Sequence, residues 1–165
     1  MANVYSVAVT AIIYREDGKF LITRRAENKK KWPGKWTVPG GGLEPSDYLD
    51  TPKDAENAWY DVLTKTIRRE VLEEVNLEIK NIEYLTGIVA EYGEDIPHGL
   101  IISLIAEYAG GEMKLQEEEL DRGEWVSVKE AEGYDLIPGI YDELLMADEW
   151  VRGNRVTWDE IKGKK

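Results

Sequence analysis

The pattern of apolar residues predicts one domain over residues 1–165, an α+β or α/β sandwich. Three observations point there. Runs rich in Val, Ile and Thr lie on both sides of one long helical pattern. That central pattern carries a one-sided apolar stripe, with Ile67, Val71 and Val75 four residues apart. A second amphipathic stretch, from Ile140 to Val151, is placed to cover a sheet, with Ile140, Leu144 and Leu145 on its apolar side. No internal repeat and no linker divides the chain.

Taken in order, Val4 to Tyr14 reads as a strand. Glu16-Asp17-Gly18 is a turn, and Lys19 to Arg24 returns as a second strand, making a hairpin. Arg24 and Arg25 end that strand, either as phosphate contacts or as surface charges. Ala26 to Lys35 is a polar loop holding Lys29, Lys30, Lys31 and Trp32, suited to solubility or to steering an anion, with Trp32 expected to cover a core edge. Trp36 to Val38 reads as a strand entering a turn at Pro39-Gly40-Gly41-Gly42, where glycine permits positive φ and close approach. Thr51-Pro52 reads as a helix start, and Ala55, Ala58, Trp59, Val62 and Leu63 continue at helical spacing into Ile67. The central helix is therefore expected either to be extended at its N-terminus from near Thr51 or to be preceded by a helix that bends into it, with Trp59 packed on the sheet. Ile82 to Tyr92, Leu100 to Tyr108 and Arg122 to Val128 read as further strands. The tail, 152–165, has no clear role, and the lone His98 sits in a polar loop.

The 165 residues can bury a sizeable core, and 42% hydrophobic with 33% charged residues describes a soluble globular chain. A net charge of −12 argues against non-specific binding of nucleic acid, which needs Lys and Arg on phosphates. It leaves open a phosphorylated small molecule neutralised by metal. The absence of cysteine excludes disulfides and thiolate sites. No signal-type or membrane-length apolar run is present, so a cytoplasmic location without membrane contact is expected.

The chemistry concentrates between Trp36 and Leu77. Glu70, Glu73 and Glu74 stand at i, i+3 and i+4, so three carboxylates share one face of the helix and repel one another. Such a patch is either a solvated acidic face or a set of oxygen ligands for Mg²⁺ or Mn²⁺. The two ends of the stretch resemble the Nudix hydrolase signature. That signature has a glycine, five residues and an acid, then seven residues, then Arg-Glu, an aliphatic, any residue, Glu-Glu, any residue, Gly and an aliphatic. Arg69-Glu70-Val71-Leu72-Glu73-Glu74-Val75-Asn76-Leu77 matches all but the glycine, replaced by Asn76, the next best residue for a left-handed helix end. Gly41 and Asp47 match the front, with Asp for Glu. Residues 48–68, 21 in number, stand where the signature has seven, a 14-residue insertion. Asp61 also lies seven residues before Arg69, but Gly-Gly-Leu-Glu-Pro-Ser-Asp continues the loop unbroken and favours Asp47.

The resemblance, loosely spanning Val4 to Ala147, implies a mixed sheet between helices, an α/β/α sandwich of α+β class, with the motif as a loop-helix-loop. It implies hydrolysis of a nucleoside diphosphate linked to another moiety, of nucleoside triphosphate or nucleotide-sugar type. Glu70, Glu73 and Glu74 would hold Mg²⁺, or Mn²⁺, with the Gly40 carbonyl as a further ligand. Arg69 would pair with carboxylates and fix their orientation. A later loop would supply another ligand or base, Glu118 or Glu119. Gly41, Gly42 and Glu44, with Arg24 or Arg25, are the candidate substrate contacts. The alternative is a Nudix-fold nucleotide-binding module or sensor that does not catalyse. Isoprenoid diphosphate isomerisation fits less well, because its usual cysteine is missing. A homodimer is compatible with the sequence.

Overall fold

A computed structural model of the chain describes residues 3–164. Its strands are β1 (Ser6–Tyr14), β2 (Phe20–Arg25), β3 (Trp36–Thr37), β4 (Gly40–Gly42), β5 (Glu78–Ala90), β6 (Gly99–Gly110) and β7 (Leu120–Val126). The helices are α1 (Ser46–Leu49), α2 (Val62–Val75), α3 (Val128–Ala131), α4 (Ile140–Val151) and α5 (Trp158–Ile161). The strands form one sheet in the order β3-β2-β1-β6-β5, with β4 on β1 and β7 on β2. β1 and β6 run parallel and the other pairs antiparallel, so the sheet is mixed.

Side chains alternate across the sheet, and each face meets a helix. Val9, Ala11 and Ile13 of β1 face Ile67, Val71 and Val75 of α2, all fully buried. Ile12, with Phe20 and Ile22, packs instead beneath Leu144 and Ala147 of α4. This is the α/β/α sandwich of the α+β class that the motif implied. The hairpin is present, and α4 spans the stretch its apolar spacing marked. Among the described residues, no helix is long and apolar enough to cross a membrane.

Four expectations fail. The glycine segment is not a turn. β1 pairs with β2 at its far end, Tyr14 with Phe20, and with β4 along Ala8 to Thr10. β3 meanwhile pairs with β2, so the Trp36–Gly42 segment fills a fork between two diverging strands. None of Gly40, Gly41 and Gly42 has positive φ; what they supply is room. A Cβ on Gly40 would lie 2.2 Å from the Val9 carbonyl oxygen, and one on Gly41 would lie 2.3 Å from Glu70 Cδ.

The insertion does not extend the helix, which starts at Val62, and no separate helix forms between Thr51 and Asp61. Asp61 sits in the left-handed region at φ 53° and interrupts the right-handed run. The Thr51 hydroxyl donates to the Tyr48 carbonyl instead of capping, while Ala55 and Ala58 exchange backbone bonds in a tight loop. Trp59 packs on that loop and not on the sheet: its ring lies 5.2 Å from Tyr48, and its Nε1 donates to the Thr51 carbonyl. Trp32, expected over a core edge, is 46% exposed at φ 51°.

Candidate functional site

The site is built where the glycine strand meets the middle of α2. Arg69 is its hub. Nε and Nη2 of its guanidinium donate to Asp47 Oδ1 at 2.6 Å and Oδ2 at 3.0 Å. Nη1 donates to Glu70 Oε1 at 2.8 Å and Glu73 Oε2 at 3.1 Å, and Nη2 also reaches the Gly42 carbonyl. The forked, bidentate grip on Asp47 fixes plane as well as distance, which a lysine could not do. Asp47, not Asp61, is thus the acid that joins the motif's two halves across the insertion. Its side chain is almost fully buried and accepts further bonds from the Glu44 backbone N–H and the Thr66 hydroxyl. These bonds, those of Arg69 foremost, hold its pKa down at about 2 despite burial. The same contact holds Arg69 above its ordinary value.

The helix carboxylates lie in graded environments. Glu73 is exposed, Glu70 is buried and Glu74 is partly covered. Burial raises the pKa of Glu70, against the pull of Arg69 and with help from the charges of Glu73 and Glu44. Glu74 Oε2 accepts the Gly40 backbone N–H at 3.1 Å. Burial pushes Glu74 up to about 8; that bond and the Arg25 charge oppose the rise, and the Glu70 and Glu119 charges add to it. Glu74 is therefore an acid enclosed among acids, with one backbone donor as its direct partner.

The arginine and glutamate pairs divide. Arg24 is committed to structure: it bonds the Gly34 carbonyl, Glu27 and Asp121, pinning the 26–35 loop to β7. Arg25 bonds the Lys31 carbonyl, and its charge reaches Glu74. Glu119 is half-buried, ion-paired with Lys29 at 2.5 Å, and close enough for its charge to act on Glu74. Glu118 is exposed, and among the described residues no bond ties it to this group. Gly41 gives Glu70 its space, Gly42 gives Arg69 a carbonyl, and Glu44 lies within electrostatic reach of Glu70. Thr66 was not singled out from sequence, though it stands three residues before Arg69 on the same helical face. Thr23, fully buried on β2, has a hydroxyl with no hydrogen-bond partner among the described residues.

As arranged, Arg69 engages Glu70 and Glu73, and among the described residues no three acidic or histidine side chains converge to hold an ion. The donor chemistry nonetheless suits a hard divalent cation: the acids supply only oxygen, and Glu74 is enclosed with like charges that a cation would neutralise.

A family model described as NUDIX domain matches residues 4–145. The chain belongs to the NUDIX family. The Nudix fold extends through solved structures. A MutT protein from Methanosarcina mazei is 25% identical, with a TM-score of 0.65 over 92% of this chain and 99% of that one. A NUDIX hydrolase from Alicyclobacillus acidocaldarius, 17% identical, has a TM-score of 0.70 over 94% of this chain and 98% of its own. The NUDIX domain of Shewanella oneidensis NrtR, complexed with ADP ribose, is 16% identical with a TM-score of 0.65, covering 93% and 91%. Among curated relatives, the NAD-capped RNA hydrolase NudC of Chromobacterium violaceum is 27% identical over 120 residues, 73% of this chain and 36% of that protein. The NudC of Pseudomonas fluorescens is 40% identical over 70 residues, 42% of this chain and 22% of that protein. This chain thus spans only about a fifth to a third of the curated relatives it matches.

Proposed function

We propose that this Nudix chain is a pyrophosphohydrolase that cleaves a nucleoside diphosphate linked to another moiety, using Mg²⁺ or Mn²⁺. The family and its MutT and NudC hydrolases support the enzyme class. The observation that carries the reading is the Arg69 hub, which ties Asp47 of the loop to Glu70 and Glu73 of the helix. A solvated acidic face needs no such constraint, whereas a ligand set does.

Glu70, Glu73 and Glu74 would hold the metal, with the Gly40 carbonyl beside them. When bound, the metal would neutralise phosphate charge and lower the pKa of a water. The chain's own residues do the rest. Arg69 keeps Glu70 and Glu73 oriented from behind. The Gly40 N–H aims Glu74 at the glycine strand. Arg25 supplies positive charge beside Glu74, where an incoming phosphate needs it. Glu119, steadied by Lys29, is the better placed of the two late-loop acids for a base or further ligand. For the moiety beyond the diphosphate, the relatives named for NAD-capped RNA favour a nicotinamide or adenine nucleotide alongside nucleoside triphosphates and nucleotide sugars.

The test is a product-release screen in Mg²⁺ over nucleoside triphosphates, nucleotide sugars, ADP-ribose, NAD, NAD-capped RNA and dinucleoside polyphosphates. Glu74→Gln runs alongside. We expect metal-dependent turnover, lowered at least about 100-fold in the variant with an unchanged circular dichroism spectrum. Near-normal turnover in the variant would overturn the assignment. A ligand that raises Tm yet stays intact in Mg²⁺ would mark the non-catalytic module instead. The change at Asn76 gives that alternative no support, because Asn76 holds the left-handed helix end at φ 57° as a glycine would.

A further inference from the structure

β5 is an outer strand of the sheet, and its two halves are built differently. The first half carries Glu78, Lys80 and Glu83, and its register with β6 shifts between Glu78 and Ile79, between Lys80 and Glu83, and between Tyr84 and Thr86. Charges and bulges of this kind discourage another strand from adding to an edge. The second half lacks both devices. From Thr86 opposite Ser103 to Ala90 opposite Gly99 the register is unbroken, and Thr86-Gly87-Ile88-Val89-Ala90 carries no charge. Among the described residues, no backbone bond from outside the β5–β6 pair reaches this stretch. Its outward N–H and C=O groups are thus a template for a further strand.

Gly87 is the unexpected residue in it. Glycine weakens a strand interior and often marks a place where another backbone comes close. Nothing within the single chain asks for it. Its φ is not positive, and an added Cβ would meet only the Tyr84 hydroxyl, at 3.3 Å, on the end of an exposed side chain. Gly87 pairs with Ile102 and Val89 with Leu100, so both lie on the α2 face. There Val89 is 59% exposed, with Tyr84 and Leu100 exposed beside it.

We propose that residues 86–90 pair antiparallel with the same residues of a second copy of this chain, about a two-fold axis at Ile88. In that register Gly87 of each copy lies opposite Val89 of the other, so each exposed valine fills the space that a glycine leaves. Thr86 lies opposite Ala90. The two Ile88 side chains meet on the axis, on the α4 face, where an open cavity beside Thr86 and Trp158 leaves them room. A stretch that is its own complement under a two-fold axis has the form of an isologous contact. Charge selects the same partner. Two copies of net charge −12 repel wherever their acids face, and this charge-free stretch lets them meet without that repulsion. So short an edge makes a small interface, below the usual ~800 Å² per partner, and hence a dimer that forms with rising concentration. The pairing does not depend on the hydrolase reading.

The experiment is sedimentation velocity of the whole chain, from about 1 to about 500 µM. We expect twice the chain mass at the upper end. Val89→Lys sets an ammonium against each copy's Gly87 and should raise the dissociation constant at least about tenfold. Leu49→Lys, an equally exposed position on α1, should leave it unchanged. The register is read with cysteine, which the chain lacks. Residues directly opposite in an antiparallel pair have Cα atoms about 4.5–5.5 Å apart, within disulfide reach. Oxidised Ile88→Cys should therefore give a covalent dimer, and Glu83→Cys should not. In the wild type, amides of residues 86–90 should exchange freely when dilute and become protected when concentrated. This last measurement needs no variant to fold. A chain that stays monomeric would leave the edge to an extended segment of another protein, and would refute the proposal. So would a dimer that Val89→Lys leaves intact, a dimer without the Ile88→Cys link, or exchange at residues 86–90 that ignores concentration.

Discussion

The contact between Asp47 and Arg69 spans 22 residues of sequence, and two short bonds make it rigid. Its strength can be read from acid titration. Asp47 is held at about 2 against an ordinary 3.8, so the folded state gains about 2 kcal/mol wherever the carboxyl is ionised in both states. That gain is complete above pH about 3.8 and is lost as pH falls to about 2. Asp47→Asn should therefore cost about 3 kcal/mol at neutral pH, since it also leaves Arg69 without its main partner. Urea unfolding at pH 7 and at pH 2.5 checks this: the deficit should shrink at the lower pH. The neighbouring glycines separate folding from function. Gly41→Ala drives a Cβ into the Glu70 carboxyl, a flexible end that can swing away, so we expect turnover to fall at least about tenfold with a small loss of Tm. Gly40→Ala meets the fixed backbone of Val9 and should lower Tm severely. Equal activity of Gly41→Ala and wild type would show that the position of Glu70 is unimportant.

At the scale of elements, α2 is defined by how it stops. Asn76 holds the left-handed conformation, its N–H returns to the Leu72 carbonyl, and its side-chain amide donates to the Glu112 carbonyl at 2.9 Å. Asn76→Ala loses the side-chain bond and enters a conformation that alanine resists, so it should cost about 1–2 kcal/mol in thermal unfolding. Asn76→Gly trades the bond for conformational ease and should stay within about 0.5 kcal/mol of wild type. This helix end was legible in the sequence because residue type and position agree there. So were the strands other than β4, and α4, whose periodicity reports burial directly. The insertion was not legible. Ala55, Ala58, Trp59, Val62 and Leu63 have helical spacing, but spacing cannot report that Asp61 takes positive φ, or that Thr51 and Trp59 satisfy one another inside a loop. The glycine strand was misread for a related reason. Three glycines announce freedom, while here they serve contact with β1 and Glu70, which only the tertiary fold supplies. Of the candidate site, the motif residues were legible, whereas the separation of Arg25 from Arg24 and of Glu119 from Glu118 depends on which neighbours the fold brings.

Across the whole molecule, an acidic chain of net charge −12 has placed carboxylates under both faces of one sheet, and their signs on stability differ. Asp47 favours ionisation. Glu143 resists it: burial, aided by the Asp142 charge and opposed by the Ser103 bond, pushes its pKa up to about 6 from an ordinary 4.5. Below pH about 4.5 Glu143 is protonated in the folded and unfolded chains alike and carries no penalty. Between about 4.5 and 6 the unfolded chain gives up the proton first, so stability falls as pH rises. Above 6 the full penalty of about 2 kcal/mol remains. Glu143→Gln keeps an acceptor for the Ser103 hydroxyl and abolishes the titration. The variant should therefore match wild type below pH 4.5 and exceed it by about 1–2 kcal/mol at pH 7. Other groups cancel in the difference between the two unfolding profiles, so that difference reports Glu143 alone. A difference that stays flat from pH 4 to 8 would mean that the carboxyl is not carrying an unrelieved buried charge. A rise through that window would identify Glu143 as a residue retained at the expense of stability.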